Sequence, residues 1–332
     1  MSALLGYFAR WEAFLLAILI LIFAVGSQVS QYFLTGSNIS IALASVMPAA
    51  IIALPMTLII ITGEIDISVG SIVGLCATTI AICIEQGYTV PAAMIAGLAI
   101  GAAAGSVNGL FVVHGGLPSL VVTIGTLALY RGIAQIILKE RGVSSFPDWY
   151  QAIGFDNVPR TPIPWSVVIF AIFLLVFGVF LHCTHWGRAL YAIGNNRTAT
   201  RYSGVNVDGM LFGVFVVSGA MSALAAVVLT AYLASARSDT GAGLELPVIT
   251  AVVLGGVNIF GGSGTIGGVL VALLVLAFVQ NALGLAGVTP EEQQIVTGAV
   301  LVGTLIVFSG SGLVKGARGA LMRSRASETG ER

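Results

Sequence analysis

The chain has 332 residues, of which 57% are hydrophobic and only 8% charged, and its mean hydropathy is +1.02. Soluble domains carry roughly 25% charged residues, so this composition excludes a soluble globule. Fourteen Lys plus Arg balance fourteen Asp plus Glu, and without a basic excess no nucleic-acid binding is expected. Three cysteines cannot build a disulfide framework. We predict an all-α integral membrane protein forming one polytopic domain over residues 1–332.

Ten apolar segments are predicted to cross the membrane, because a helix needs about 20 apolar residues to span the hydrocarbon core. The third and the eighth are short for a straight crossing, so we expect both to be broken or partly re-entrant. In chain order the segments are Ala13–Tyr32, Ile41–Thr62, Val69–Ile84, Val90–Val113, Pro118–Leu138, Ile163–Leu181, Leu211–Leu233, Leu246–Ile259, Thr265–Ala286 and Gln293–Phe308.

The basic residues predict the orientation. With the N-terminus inside, nine Lys and Arg fall in inside segments and four in outside segments. This bias favours two cytoplasmic termini, an external loop over 139–164 and a basic cytoplasmic tail over 315–332. The alternative for the first segment is a cleavable signal peptide, because Arg10 precedes an apolar run that ends near Ala24 and Gly26.

Two Gly-rich segments resemble each other. Leu54–Ser71 aligns with Leu246–Ser263 at a constant offset, which places Gly63 on Gly255 and Asp66 on Asn258. In transporters, Gly- or Pro-interrupted segments at corresponding positions mark the substrate path. We therefore predict an internal repeat; the alternative is a chance match between Gly-rich apolar spans.

No constellation of catalytic side chains is present. Lys139 and Lys315 are the only lysines, and neither lies in a glycine-rich phosphate-binding loop. We therefore predict that the chain has no ATPase site of its own. The three histidines, His114, His182 and His185, are too few and too scattered for a metal site, and no cofactor is expected.

A few polar side chains in or beside the spans are functional candidates, because charge inside a membrane is costly. Glu64 and Asp66 lie at a helix break, where they could line an inner gate or hold a broken helix. The alternative is a cytoplasmic-surface turn in which Asp66 or Ser68 caps the next helix. Arg131 is expected to snorkel outward rather than to bind a polyol. Asn108 is expected to form an interhelical hydrogen bond among small residues rather than to contact a ligand.

The inside loop over 183–208 is polar and rich in arginine. Asn196 is predicted to start a short helix and Gly204 to end it. Such an amphipathic helix on the cytoplasmic face suits docking of a partner. The alternative is an ordinary solvated loop.

Four motifs in order along the chain resemble one family. THWGRALYAIGNNRTATRYSGV, from Thr184, is similar to the cytoplasmic coupling loop of ribose-type ABC sugar permeases. GEIDISVGS from Gly63, LPSLVVTIGT from Leu117 and AVVLGGVNIFGGSGTIGG from Ala251 resemble the other motifs of that family.

This resemblance implies a permease of the bacterial inner membrane that imports a sugar or a similar solute. The implied partners are two cytoplasmic ATP-binding subunits, a second permease in a homo- or heterodimer, a periplasmic solute-binding protein and the bilayer. The residues assigned to the translocation path or gate are Gly63, Glu64, Asp66, Ser68, Asn108, Thr123, Thr126, Arg131, Gly255 and Asn258. Those assigned to the ATPase-coupling loop are Gly187, Arg188, Asn195, Asn196, Arg197, Ala199, Arg201 and Gly204.

The sequence departs from the family pattern at three positions. Glu64 replaces a glycine, Thr200 a common alanine, and Pro247 stands where many members have aspartate. Together with Ser235–Asp239, Pro247 resembles the permeases for autoinducer 2 and rhamnose, which weakly favours those substrates. The rival function is a secondary transporter or channel for a small polar solute, which would couple through protonatable residues near the middle of the membrane.

Overall fold

The structure is a computed structural model that describes residues 2–139, 141–144, 146–304 and 306, with side chains from residue 11 onward. A π-helical turn, Leu110–His114, continues α4, and residues 290–304 are also helical. The predicted tail over 315–332 lies outside the described residues. The helices are α1 (Ser2–Val29), α2 (Gly36–Ile61), α3 (Val69–Glu85), α4 (Val90–Gly109), α5 (Ser119–Leu138), α6 (Asp148–Phe155), α7 (Trp165–Cys183), α8 (His185–Asn195), α9 (Arg197–Tyr202), α10 (Val207–Leu233), α11 (Glu245–Leu254) and α12 (Ile266–Leu285).

The predicted all-α membrane architecture is confirmed. Seven of the described helices are long and apolar enough to cross a bilayer, and each of the ten predicted segments contains a helix. The third and eighth segments are short as predicted, since α3 has 17 residues and α11 has 10. The eighth ends earlier than predicted, at Leu254 instead of Ile259, because Gly256 adopts a left-handed backbone with φ of 89°.

Helix α2 is the centre of the bundle. Its apolar window is 94% buried, against 11% for the span of α1. It packs against α7, α10, α11 and α12, which explains why its sequence is apolar on every side rather than on one stripe. Helices α1, α5 and α7 leave most of their apolar surface for lipid or for another subunit.

Small residues bring α4 and α10 into close contact. A Cβ added to Gly105 would overlap the carbonyl oxygen of Phe215, and one added to Gly219 would overlap that of Gly101. Such close approach is how membrane helices gain packing energy without a hydrophobic driving force. The glycines around Asn108 are therefore packing residues, as the sequence predicts.

Both helix breaks, which follow α2 and α11, lie at the same end of the bundle as the loop over 183–208. We call this end the α8 face. The amide of Gly262, in the loop after α11, donates to the carbonyl of Ile61 at the end of α2 (2.8 Å). The indole of Trp11 donates to the carbonyl of Leu254 (2.9 Å), which places the start of the first span at this end too.

The opposite end carries α6 and the loop over 234–244. Tyr150 of α6 shares a hydrogen bond with Thr230 near the end of α10 (2.7 Å), and Val143 pairs with Ala236 through two backbone hydrogen bonds. The loop over 139–164 is therefore a structured cap on this end.

The two aligned breaks share their backbone geometry, although with a shift of one residue. Gly63 and Gly256 both adopt left-handed φ, 80° and 89°. In each break the amide of this glycine donates to the carbonyl three residues before it, and the amide of the following residue donates to the carbonyl five residues before itself. The sequence alignment instead matches Gly63 with Gly255. Its match of Asp66 with Asn258 agrees with the structure, because each side chain accepts the N–H two residues on.

Candidate coupling and translocation site

A buried polar cluster joins α3, α4 and α10 through Asp66. One carboxylate oxygen accepts the Ser68 amide (3.0 Å) and hydroxyl (2.6 Å), and the other accepts the Ser218 hydroxyl (3.1 Å). The Asn108 amide donates to the Ser68 oxygen (2.8 Å). The carboxylate thus fixes the start of α3 to two neighbouring helices.

The environment of Asp66 corrects one of the two expectations for this residue. The side chain does cap the turn before α3, but it is fully buried instead of lying in a surface turn. Burial raises the pKa of the Asp66 carboxyl, and the hydrogen bonds from Ser68 and Ser218 offset part of that effect.

Helix α5 closes the cluster from the other side. The Tyr130 hydroxyl reaches the carbonyl of Ala104 (2.9 Å) and the Asn108 side-chain oxygen (3.3 Å), and Thr123 donates to the carbonyl of Ile65 (3.4 Å). Thr126 is buried one turn further along α5. Sequence reasoning missed Tyr130 and Ser218, because a lone Tyr or Ser inside an apolar span carries no local signal.

Arg131 binds backbone carbonyls instead of snorkelling outward. Its guanidinium donates to the carbonyls of Ser238 (2.9 Å) and Thr240 (3.3 Å) in the loop before α11, and to that of Gly70 in α3 (3.3 Å). Five donors on a planar fork allow one arginine to hold several carbonyls at once. Arg131 therefore ties the loop over 234–244 to α3 and α5.

Two ion pairs connect α9 to the membrane helices. Arg197 pairs with Glu64, whose side chain is only 10% exposed, and Arg201 pairs with Asp208 at the start of α10. Between them lies a cavity of about 420 Å³, also lined by Pro118 and Leu211. Glu64 replaces a glycine of the family pattern, so this chain gains an ionic link from α9 to the connection between α2 and α3.

Helix α8 is bonded to the loop that follows the second break. The Tyr191 hydroxyl donates to the carbonyl of Gly264 (2.7 Å), and the Asn195 amide donates to that of Gly262 (3.1 Å). Burial raises the pKa of Tyr191 to about 12, so the hydroxyl keeps its proton at neutral pH.

Gly194 brings α8 against the end of α2. A Cβ added at this position would overlap the carbonyl oxygen of Ile61 and the amide nitrogen of Gly262. Three backbone segments that are far apart in sequence therefore meet at one glycine. Sequence reasoning did not single out Gly194, and it missed α8 as a regular helix.

The remaining predicted coupling residues occupy separate positions along α8 and α9. Asn196 caps α9 by accepting the Ala199 amide (2.9 Å), and Gly204 ends the turn with φ of 84°, as predicted. Gly187 packs on the carbonyl of Leu181, while the side chain of Arg188 is exposed.

The remaining predicted path residues do not join the Asp66 cluster. A Cβ added to Gly255 would lie 2.6 Å from the Val269 backbone, so Gly255 is needed where α11 contacts α12. Asn258 is exposed at the tip of the following loop, and Gly63 is exposed at the end of α2.

Comparison with known proteins identifies the family. Residues 38–305 match the family model described as branched-chain amino acid transport system / permease component. The chain belongs to this permease family. The permease is 36% identical over 300 residues to the autoinducer 2 import system permease protein LsrD of Salmonella typhimurium (88% of this chain, 89% of the relative). The LsrD protein of Escherichia coli strain K12 is equally similar (36%, 88% of this chain, 90% of the relative).

These matches agree with the motifs. The permease is the membrane-embedded transport subunit of an ABC importer, a multi-pass protein of the inner membrane, and works with ATP-binding and solute-binding partners. No solved structure matches the permease.

Proposed function

We propose that this permease forms, with a second permease, the path for a sugar-like solute such as autoinducer 2 or rhamnose. Two cytoplasmic ATP-binding subunits supply the energy, one docking on α8 and α9 of each permease, and a periplasmic solute-binding protein delivers the solute. The chain itself has no ATPase site, and both of its termini are cytoplasmic. The observation that carries the proposal is that α8 and α9 are bonded to both helix breaks.

Those bonds give a route for transmitting force. A rigid displacement of α8 by a docked subunit moves Ile61 and Gly262 with it, because Gly194 leaves no free space against either residue. The connection after Ile61 leads directly to Asp66, which fixes α3 to α4 and α10. Movement of the docked subunit would thus separate or close helices around the polar cluster.

The substrate class rests on the relatives and on the chemistry of that cluster. The relatives are named for autoinducer 2 import, and Pro247 with Ser235–Asp239 fits the same group. When the helices part, Ser68, Asn108 and Ser218 would present hydroxyl and amide groups to the path. Such groups hydrogen-bond the hydroxyls of a polyol and offer little to an aliphatic side chain.

Transport assays test the proposal. The permease is reconstituted with its ATP-binding subunit, second permease and solute-binding protein, and uptake of labelled autoinducer 2 and rhamnose is compared with that of leucine. ATP-dependent uptake of autoinducer 2 or rhamnose, but not of leucine, is expected. Uptake that persists without the ATP-binding subunit would favour a secondary transporter or channel.

The orientation has its own test. Cys183 is exposed, so it is first replaced by serine. In that background, a membrane-impermeant thiol reagent added from outside should label Asp156→Cys in the loop over 139–164, and not Ser203→Cys after α9. The reverse labelling pattern would overturn the proposed orientation.

A further inference from the structure

The two most exposed large hydrophobic side chains among the described residues both lie on the α8 face. Tyr202 at the end of α9 is 89% exposed, and Phe260 in the loop after α11 is 81% exposed. Ile136 in α5 and Leu175 in α7, which are 78% and 70% exposed, lie in membrane-spanning helices, where lipid covers such surface. A single exposed hydrophobic side chain is common and marks no binding surface by itself, so the surroundings of these two rings decide what they indicate.

The loop that carries Phe260 is held rigidly. Asn258 accepts the Phe260 amide on its side chain (3.1 Å) and the Gly261 amide on its carbonyl (2.9 Å), and its own amide donates to the carbonyl of Ser263 (3.0 Å). Left-handed φ angles of 88° at Gly261 and 80° at Gly262 complete the tight turn. A pre-organised aromatic side chain loses little entropy on binding.

This loop is continuous with the proposed docking helices. Asn195 at the end of α8 donates to the carbonyl of Gly262, and Gly261 lies against the carbonyl of Gly194. Phe260 therefore stands beside the junction of α8 and α9, where Arg197 and Arg201 are half exposed. An aromatic anchor flanked by arginines has the composition of an interface hot spot.

We propose that Phe260 is an anchor for the ATP-binding subunit, which would contact the loop after the second helix break as well as α8 and α9. The proposal rests on the docking proposed above and extends it to a second point of contact. The partner surface that fits is an apolar pocket edged by carboxylates. Through Phe260 the subunit would move the second break directly, in addition to moving it through α8.

Lipid is the alternative binding partner for Phe260, and the residues around Phe260 disfavour it. Ile259, the apolar neighbour of Phe260 in the chain, is partly buried against the core. The other residues at the tip are Asn258, Gly261, Gly262 and Ser263, with Asn195 beside them. An aromatic residue that anchors in lipid sits among other apolar or interfacial side chains.

Photo-crosslinking in the assembled importer distinguishes the occupants. Benzoylphenylalanine is placed at position 260, at Ala199 in α9 and at Leu129 in α5, each in the full complex in lipid nanodiscs. We expect adducts with the ATP-binding subunit at 260 and 199, and with lipid at 129. A second outcome is that position 199 forms an adduct with that subunit while position 260 forms one with lipid, with another permease copy or with nothing. That result would overturn the anchor role of Phe260 but leave the docking proposal standing. If neither 199 nor 260 reaches the subunit, the docking proposal fails as well.

Affinity gives the second measurement. Phe260→Ala should weaken binding of the ATP-binding subunit about tenfold, whereas Phe260→Trp, which keeps an aromatic anchor, should bind within about threefold of the wild type. The matched control is Tyr88→Ala, an exposed aromatic in the turn between α3 and α4 at the other end of the bundle. Unchanged affinity in Phe260→Ala would contradict the proposal even if the protein remains folded.

Discussion

The amide of Gly262 donates to the carbonyl of Ile61 at 2.8 Å, which joins the two helix breaks of the permease directly. Gly194 of α8 packs on both partners of this bond. The three segments therefore move as one unit, and they do so at the face where an ATP-binding subunit is proposed to dock. The predictions below test this unit and the polar cluster behind it.

Gly194→Ala should disrupt the contact between α8 and the breaks. The added methyl group would overlap backbone atoms of Ile61 and Gly262, which cannot rotate away, and overpacking of this kind costs about 2 kcal/mol. We expect a lower thermal midpoint in detergent and weaker substrate-stimulated ATP hydrolysis in the reconstituted importer. Gly178→Ala is the control, since a methyl group there meets open space. Equal behaviour of the two variants would contradict the close contact.

The ion pair between Arg197 and Glu64 should be necessary for the full stability of this permease. Removing the guanidinium leaves the mostly buried Glu64 carboxylate without its partner, and we expect Arg197→Gln to cost about 2 kcal/mol. The pair between Arg141 and Glu85 is more exposed, so Arg141→Gln should cost less than about 1 kcal/mol. Chemical or thermal unfolding of both variants measures the difference.

A charge exchange shows whether the pair itself is what matters. Arg197→Glu alone should impair coupling by placing two carboxylates together, and the double variant Glu64→Arg with Arg197→Glu should recover part of the ATPase stimulation. Absence of any recovery would mean that one of the two side chains acts through another contact.

Asp66→Ala should destabilise the bundle far more than Asp66→Asn. Alanine leaves the Ser68 amide and the Ser68 and Ser218 hydroxyls without their acceptor, at a cost of about 3 kcal/mol. Asparagine keeps one acceptor oxygen and should cost less than about 1 kcal/mol. Thermal midpoints of the two variants in detergent measure the difference, and similar losses would argue against the hydrogen-bonded cluster.

The pH dependence of the Asp66 variants follows from the same burial. Because the pKa of Asp66 is raised above 3.8 in the folded chain, that chain holds the carboxyl proton to higher pH than the unfolded chain does. Binding of this proton therefore stabilises the folded chain at low pH, and that stabilisation is lost as the pH rises from about 4 through the raised pKa. The thermal midpoint of wild type relative to Asp66→Asn should fall over that range, and a constant difference would contradict the raised pKa.

Arg131→Met should release the loop over 234–244 from α3. The three carbonyls of Gly70, Ser238 and Thr240 lose their donor, and amide hydrogen exchange in residues 237–242 should become about tenfold faster. Arg131→Lys should restore part of the protection. Gly132→Ala, where the methyl group meets open space, should leave the exchange unchanged.

The sequence by itself determined the membrane class, the positions of the spans, the two helix breaks and the polar loop that contains α9. These properties are local: hydropathy, cap residues and glycine conformations act within one segment of the chain. The family motifs are local as well, which is why they identified the permease before its helices were placed.

Only the tertiary structure decided which distant residues meet. Asp66 becomes a fully buried acceptor because α4 and α10 close around it through their glycines. Arg131 finds carbonyls more than 100 residues further along the chain, and Glu64 finds Arg197, 133 residues away. Neither periodicity nor composition encodes such pairings, since they depend on how the helices pack against one another. The same packing joined α8 to both breaks through Gly194 and Asn195.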